Sequence, residues 1–250
     1  MANEFSGKSA LVTGAGSGIG RATALRLAAG GAAVVVVDIE EKATDAVAEE
    51  IVGAGGRAVP FVADVSEPEQ VRASVDLAAS TFGGFHLAVN NAGITGPLGL
   101  LADIDIAGYR RAIEINLNAV FYGMYYEIPA MLASGGGSIV NTSSVLGVVG
   151  DPGAVPYVTA KHGIAGMTKA AALGYANQGI RINSVHPGYI DTPLLKVLPE
   201  DAYAALARMH PIGRLGTADE VASTIAFLLS DAASFTTGSQ YVLDGGYAAR

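Results

Sequence analysis

The sequence predicts an α/β protein: a single-domain, doubly wound, mostly parallel sheet of seven strands with helices on both faces. Three observations carry that expectation. Seven short apolar runs alternate with six segments of helical composition; the runs are apolar at consecutive positions, as in strands buried on both faces; and a glycine-rich turn leads from the first run directly into a helix.

Taken in order, "SALVTG" opens the sheet and the alanine-rich "GIGRATALRLAAGG" follows as a helix ended by its glycines. The β-branched run "AAVVVVD" is the second strand, and "EEKATDAVAEEIVGAGG" returns to the third, "RAVPFVAD". Pro68 opens "PEQVRASVDLAASTFGG", where Ser66 and Glu69 match a capping box, and "HLAVNNAG" is the fourth strand. A long helix, "AGYRRAIEINLNAVFYGMYYEIPAMLASGG", precedes the fifth strand, "GSIVNTSS". Pro156 begins a helix that Gly179 stops, and "IRINSVHPG" follows as the sixth strand. Thr217 and Glu220 form a second capping-box pattern before "ADEVASTIAFLLSD", and "SQYVLDGG" completes the sheet. One long connection, Ile190 to Gly213, leaves the end of a strand where a substrate lid is expected.

Composition narrows the function. In 250 residues, half are hydrophobic and 15% charged, yet no run approaches the roughly 18 apolar residues of a membrane span. The N-terminus shows no signal-peptide pattern, and there is no cysteine, so a cytoplasmic location is expected. The net charge of −8 disfavours nucleic acid, and the four histidines lack ligand spacing, so no metal is expected. His162 and His186 are read as structural.

Two clusters of residues carry chemistry. "VTGAGSGIG" fits T-G-x-x-x-G-x-G, with glycines at 14, 16, 18 and 20, and lies where a strand meets a helix N-terminus, the setting of a phosphate-binding turn. Asp38 ends the second strand, where its carboxylate can accept from both hydroxyls of an adenosine ribose, and Asp64 ends the third, within reach of an adenine. Further along, "YVTAK" places Tyr157 and Lys161 on one helix face, one turn apart. Alone, that pair equally describes a half-buried tyrosine and a solvated lysine.

Together "TGAGSGIG" at 13–20, "DV" at 64–65, "NNAG" at 90–93, Asn116, "SS" at 143–144, "YVTAK" at 157–161 and "PGYIDT" at 187–192 resemble, in order and spacing, the short-chain dehydrogenase/reductase family in its classical branch. The resemblance spans essentially the whole chain. It implies a Rossmann-type fold and a catalytic set of Asn116, Ser144, Tyr157 and Lys161, with Ser144 rather than Ser143 because it lies thirteen residues before Tyr157. It implies a dinucleotide held by Gly14, Ser17, Gly18, Ile19 and Gly20, by Asp38, Asp64 and Val65, and by Asn91, Ala92 and Gly93 at the ribose. Tyr157, Lys161, Pro187 and Gly188 would complete the contacts, with Ile190 and Thr192 at the carboxamide. It also implies a homotetramer.

A phenol of pKa about 10 is a poor base at neutral pH. A cation about 5 Å away, at an effective dielectric near 20, favours phenolate by on the order of 3 kcal/mol, so Lys161 is expected to lower Tyr157. Tyr157 would exchange the hydroxyl proton and Ser144 would hydrogen-bond the same oxygen, while the resemblance gives Asn116 a water that relays protons to Lys161. Asp38, followed by "IEEK", and Ser17 in place of a basic residue predict NAD over NADP. Apolar stretches "VLGVVGDPGAVP" and "TPLLKVL" predict a hydrophobic secondary alcohol or its ketone as substrate. A ketoacyl carrier-protein reductase is the alternative, though the stretches near the active site carry few basic residues to dock an acidic carrier. A non-catalytic dinucleotide sensor would be expected to lack the Ser, Tyr and Lys, and a sugar-nucleotide epimerase to carry a longer C-terminal substrate domain.

Overall fold

The computed structural model describes residues 3–193, 195 and 199–249. The chain runs β1 (Ser9–Thr13), α1 (Gly18–Ala29), β2 (Ala33–Asp38), α2 (Glu41–Gly53), β3 (Arg57–Val62), α3 (Pro68–Phe82) and β4 (Leu87–Asn90). There follow α4 (Ile106–Ile113), α5 (Ala119–Ala133), β5 (Gly137–Thr142), α6 (Val155–Tyr175), β6 (Ile180–Pro187), β7 (Ile190–Asp191), α7 (Glu200–Arg208), β8 (Gly216–Thr217), α8 (Ala218–Leu229) and β9 (Gln240–Leu243). Seven strands form one sheet in the order β3-β2-β1-β4-β5-β6-β9, every pair parallel.

Alternation along the strands sends side chains to two cores. On one face Val12, Val34, Val36, Val89 and Val185 pack against Leu27 of α1, Ile51 of α2 and Ile225 of α8. On the other, Leu11, Val35, Ala88, Ile139 and Ile182 meet Val75 of α3, Met124 and Ile128 of α5, and Ile164 of α6. The seven expected strands are all present. The expectation that each is buried on both faces fails at β3 and β9, whose residues are half-buried or exposed: both are edge strands, which is also why Pro60 is tolerated in β3.

Other local differences have physical causes. The capping box at Thr217 forms, with Thr217 Oγ1 accepting from the Glu220 N–H and the Glu220 carboxylate accepting from the Thr217 N–H. The one at Ser66 does not, because Ser66 Oγ donates to Asp64 Oδ1 at 2.6 Å and the helix starts after Glu67. The long helix after β4 is interrupted by a π turn at Glu114–Asn118 between α4 and α5. The Ile190–Gly213 connection holds α7, with β7 pairing to β8 beside it. Leu194 and Leu198, expected in an apolar lid, lie outside the described residues. Among the described residues no helix is long and apolar enough to cross a membrane.

One polar network crosses the second core. Asn90 Nδ2 donates to Glu127 Oε2 at 3.1 Å and to Asn141 Oδ1 at 3.0 Å, and Asn141 Nδ2 donates to Thr168 Oγ1 at 2.9 Å. Burial pushes the Glu127 carboxyl up to about 8, so it is mostly protonated in the folded protein at neutral pH. An unfolded chain ionises it near about 4.3. Between those values the unfolded state binds fewer protons than the folded one, so stability falls as pH rises. Urea titrations at about pH 5 and about pH 8 should show Glu127→Gln losing less stability over that span than the parent, the difference reaching at most about 1.4 kcal/mol per pH unit. Parallel pH dependences would show that Glu127 is not a buried neutral acid.

Candidate active site

From β1 the chain winds outward through β2 and β3, and from β4 it winds the other way, so the connections leaving β1 and β4 diverge and open a crevice at the carboxyl ends of the strands. A cleft of about 1230 Å³ lies there.

At one end of the cleft is the glycine turn. Gly14 (φ +62) and Gly18 (φ +53) adopt left-handed backbone conformations. A Cβ on Gly14 would stand 2.9 Å from the Ala92 Cα, and one on Gly20 would run into the Gly14 carbonyl oxygen. The turn is stitched to the end of β4: Thr13 Oγ1 accepts from the N–H groups of Asn91 (2.9 Å) and Ala92 (3.1 Å), and Asn91 Nδ2 donates to the Thr13 carbonyl at 3.1 Å. The first turn of α1 carries no acid, and the Ser17 side chain makes no capping bond, so the helix presents its N-terminal N–H groups and the positive end of its dipole to the cleft. Asp38 Oδ2 accepts from the Gly16 N–H at 2.8 Å and Oδ1 from the Glu40 N–H at 3.2 Å; a carboxylate has further lone pairs for ligand hydroxyls. The Ser66 hydroxyl and N–H hold the Asp64 carboxyl below its usual range, with Arg111 adding a smaller electrostatic contribution. A close-packed glycine cradle, free helix N–H groups and a carboxylate at the end of β2 fit a dinucleotide.

At the other end are Ser144, Tyr157 and Lys161. Ser144, at the end of β5, is buried and its Oγ accepts from the Leu146 N–H at 3.1 Å. Tyr157 and Lys161 lie one turn apart on α6, as the spacing requires. Lys161 is 3% exposed, its Nζ donates to the Thr142 carbonyl at 2.9 Å, and it sits 5.3 Å from the Tyr157 ring centre. Burial pushes the ammonium down to about 8. Desolvation raises the Tyr157 phenol, with the Ser144 hydroxyl pulling the other way. The expected net lowering by Lys161 is therefore absent from the protein alone: taking the phenol out of water outweighs its neighbours, and the ammonium is itself weakened by burial.

Of the residues expected at the site, Gly14, Ser17, Gly18, Ile19, Asp38, Asp64, Val65, Asn91, Ala92, Gly93, Ser144, Tyr157, Lys161, Pro187, Gly188, Ile190 and Thr192 all line the cleft. Gly20 and Asn116 do not. Gly20 packs behind the turn. Asn116, fully buried in the π turn, accepts from the Ile94 N–H and donates to the Ile94 carbonyl, each at 2.9 Å, and so props the segment after β4 from behind. Sequence reading missed Thr142, Arg111, Asp151 and Tyr189, which also line the cleft. It read His186 only as structural. His186 is fully buried, and with burial pushing it down to about 4 it is neutral: Nδ1–H donates to the Ser144 carbonyl at 3.0 Å while Nε2 accepts from Ser184 Oγ at 2.9 Å. Its place before "PG" at a strand end carried no sign of that contact. His162 bonds only its own helix, at the Val158 carbonyl.

A family model described as enoyl-(acyl carrier protein) reductase matches residues 14–248. The chain is 57% identical to a cyclohexanol dehydrogenase of Acinetobacter sp. (strain SE19), over all of this chain and 98% of that one. It is 48% identical to a cis-4-hydroxycyclohexanecarboxylate dehydrogenase of Sinomonas cyclohexanicum over the full length of both. The crystal structure of a short-chain type dehydrogenase/reductase from Mycobacterium marinum superposes with a TM-score of 0.94 at 39% identity, covering 98% of this chain and 97% of that one. A glycine cradle and a Ser, Tyr and Lys cluster facing one cleft, on a fold and sequence shared end to end with such proteins, make this chain a member of the short-chain dehydrogenase/reductase family.

Proposed function

We propose that the protein is an NAD-dependent dehydrogenase that interconverts a hydrophobic cyclic secondary alcohol and its ketone. The observation that carries this reading is the juxtaposition of Ser144, Tyr157 and Lys161 with an apolar wall made by Leu98, Val145, Leu146 and Ala154, all in the cleft that holds the glycine turn. The cyclohexanol dehydrogenase relative supports the cyclic class. The bound dinucleotide supplies the acceptor or donor of hydride. The chain's own groups handle the proton. In oxidation, Tyr157 as phenolate takes the substrate hydroxyl proton as hydride leaves the carbinol carbon, and in reduction the neutral phenol returns it. Ser144 Oγ donates to the developing alkoxide and fixes which oxygen faces Tyr157. Lys161 favours the phenolate needed for oxidation, and Asn116 keeps the segment through Ile94 in place beside it. Leu195 and Leu206 line the cleft from the Ile190–Gly213 segment, which acts as the lid of a single catalytic domain.

The cofactor preference rests on Asp38. Its two oxygens accept ribose hydroxyls, whereas a 2′-phosphate would bring a second anion to within about 4 Å, a repulsion of several kcal/mol even at an effective dielectric near 20, before screening. Glu40 and Glu41 follow immediately and offer no compensation. We also propose a homotetramer, because Phe121, Tyr125 and Leu132 of α5 and Leu173 of α6 are exposed, as are Phe227 of α8 and Val242 of β9, and a cytoplasmic location, which suits a sequence without cysteine.

Tyr157→Phe is expected to lower kcat by about 100-fold or more while the NADH dissociation constant, read by fluorescence titration, changes by less than about threefold. Retention of most of kcat would overturn the proton-transfer role. For alcohol oxidation, the sign of the pH dependence follows from the raised phenol: activity should rise with pH above neutrality, and in Lys161→Ala that rise should move to higher pH because the cation supporting phenolate is gone. A variant profile superimposed on the parent's would contradict this. Finally, kcat/KM should favour NAD over NADP by about 100-fold or more, and Asp38→Ser should narrow the ratio by at least about tenfold; an unchanged ratio would remove Asp38 as the cause.

A further inference from the structure

Beside the apolar Leu98, Val145, Leu146 and Ala154, the cleft carries an acid that the proposed mechanism does not use. There the segment after Ser144 turns back toward α6, and Asp151 lines the cleft together with Gly153, Ala154 and Tyr189. The segment is fixed in place: the Gly99 N–H donates to the Gly153 carbonyl at 2.9 Å and Gly99 bridges Ala154. Asp151 Oδ1 accepts from the Gly153 N–H at 2.8 Å, which holds the turn. An asparagine or serine would serve that turn equally well. Its second oxygen makes no hydrogen bond among the described residues, and no cation pairs with it there. Asp151 and Tyr157 both act electrostatically on the Tyr189 phenol, and all three line the same cleft.

A half-buried carboxylate with one free oxygen, in a cavity walled by Leu98, Val145 and Leu146, is costly to leave without a donor once a substrate displaces water. We propose that Asp151 is a specificity-determining residue that accepts a hydrogen bond from a second hydroxyl on the ring, so that the preferred substrates are cyclic diols and hydroxyketones rather than simple cyclic alcohols. A hydroxyl suits the site better than an ammonium, because Leu98, Val145, Leu146 and Ala154 offer no side-chain acceptor to replace an ammonium's remaining hydration contacts. Tyr189, whose phenol is held neutral, adds a second hydroxyl to the same wall. The proposal rests on the alcohol-oxidising reading above and deepens it.

The test is the ratio of kcat/KM for each of the 1,2-, 1,3- and 1,4-cyclohexanediols to that for cyclohexanol, measured with NAD in the parent, Asp151→Leu and Asp151→Asn. The best diol is expected to exceed cyclohexanol by about tenfold in the parent. Asp151→Leu should reduce that ratio about tenfold, and Asp151→Asn, which keeps the Gly153 bond and loses the charge, about threefold. A ratio within about 1.5-fold of the parent's in the soluble variant or variants would overturn the assignment. So would a parent that prefers cyclohexanol to every diol, or one that gains more from 4-aminocyclohexanol than from the diols. Absence of turnover with every alcohol in the parent is a different failure, which removes the alcohol-oxidising reading and this proposal with it.

Discussion

Thr13 and Asn91 hold together the two strands whose ends must diverge for a ligand to enter. The Thr13 hydroxyl takes the N–H groups of Asn91 and Ala92, and the Asn91 carboxamide returns a bond to the Thr13 carbonyl. The β1–β4 register ends at Val12 and Val89, while Thr13 still pairs with Val37 of β2, so these side-chain bonds take over between the two strands where their own ladder stops. With the chain so close, Gly14 has no room for a Cβ against Ala92, and Gly20 has none against Gly14. The same tightness brings the first turn of α1 to the cleft floor with its N–H groups free, and sets Asp38 against Gly16. The proposed phosphate and ribose contacts thus depend on one backbone approach, where a single added methyl group would push the segments apart.

At the far end of the cleft, burial works against the charges that the proposed proton transfer needs. It raises the Tyr157 phenol and pushes the Lys161 ammonium down to about 8, disfavouring both the phenolate and the cation that supports it. The neutral phenol that results is the form required to protonate a ketone's oxygen. In the proposed mechanism oxidation is the demanding direction, because it begins from phenolate. The Thr142 carbonyl, which accepts from Lys161 Nζ, and the Ser144 hydroxyl, which favours phenolate, are the groups that oppose desolvation. Thr142 ends β5 and Ser144 follows two residues later, so the ionisation of two residues on α6 is governed by a strand and the turn that leaves it.

Most of the architecture was legible because it is written in local pattern. Consecutive apolar residues located all seven strands, the glycine turn stood out by its place between strand and helix, and Tyr157 and Lys161 gained meaning only beside the other motifs of the family resemblance. What escaped depends on contacts between distant segments. The edge position of β3 cannot be seen in "RAVPFV", since strand order is a property of the whole sheet. The π turn at Glu114–Asn118 adds a residue to a helix of ordinary composition, and only its bonds to Ile94 explain it. His186 bracing the Ser144 carbonyl and Lys161 anchored on Thr142 are likewise pairs joined across strands and helices. Ser66 matched a capping box locally and was diverted by Asp64, which is nearer than the helix it was to cap.

The buried network in the second core bears on the same site. Asn90 and Asn141 are register partners on β4 and β5, and each stands one residue before a segment that forms the cleft: Asn91 on one strand, Thr142 on the other. Apolar residues at these two positions would pack the core, but any slip of one strand along the other would cost them little. Two carboxamides that bond each other, with Glu127 and Thr168 on flanking helices, satisfy their donors in one register only. Glu127 takes part because burial keeps it protonated, so the helix contributes an acceptor to Asn90 without bringing a charge into the core. The network therefore fixes the relative height of the backbone at Asn91 and the carbonyl of Thr142 that holds Lys161, the two segments to which the proposed dinucleotide and proton-transfer sites are attached.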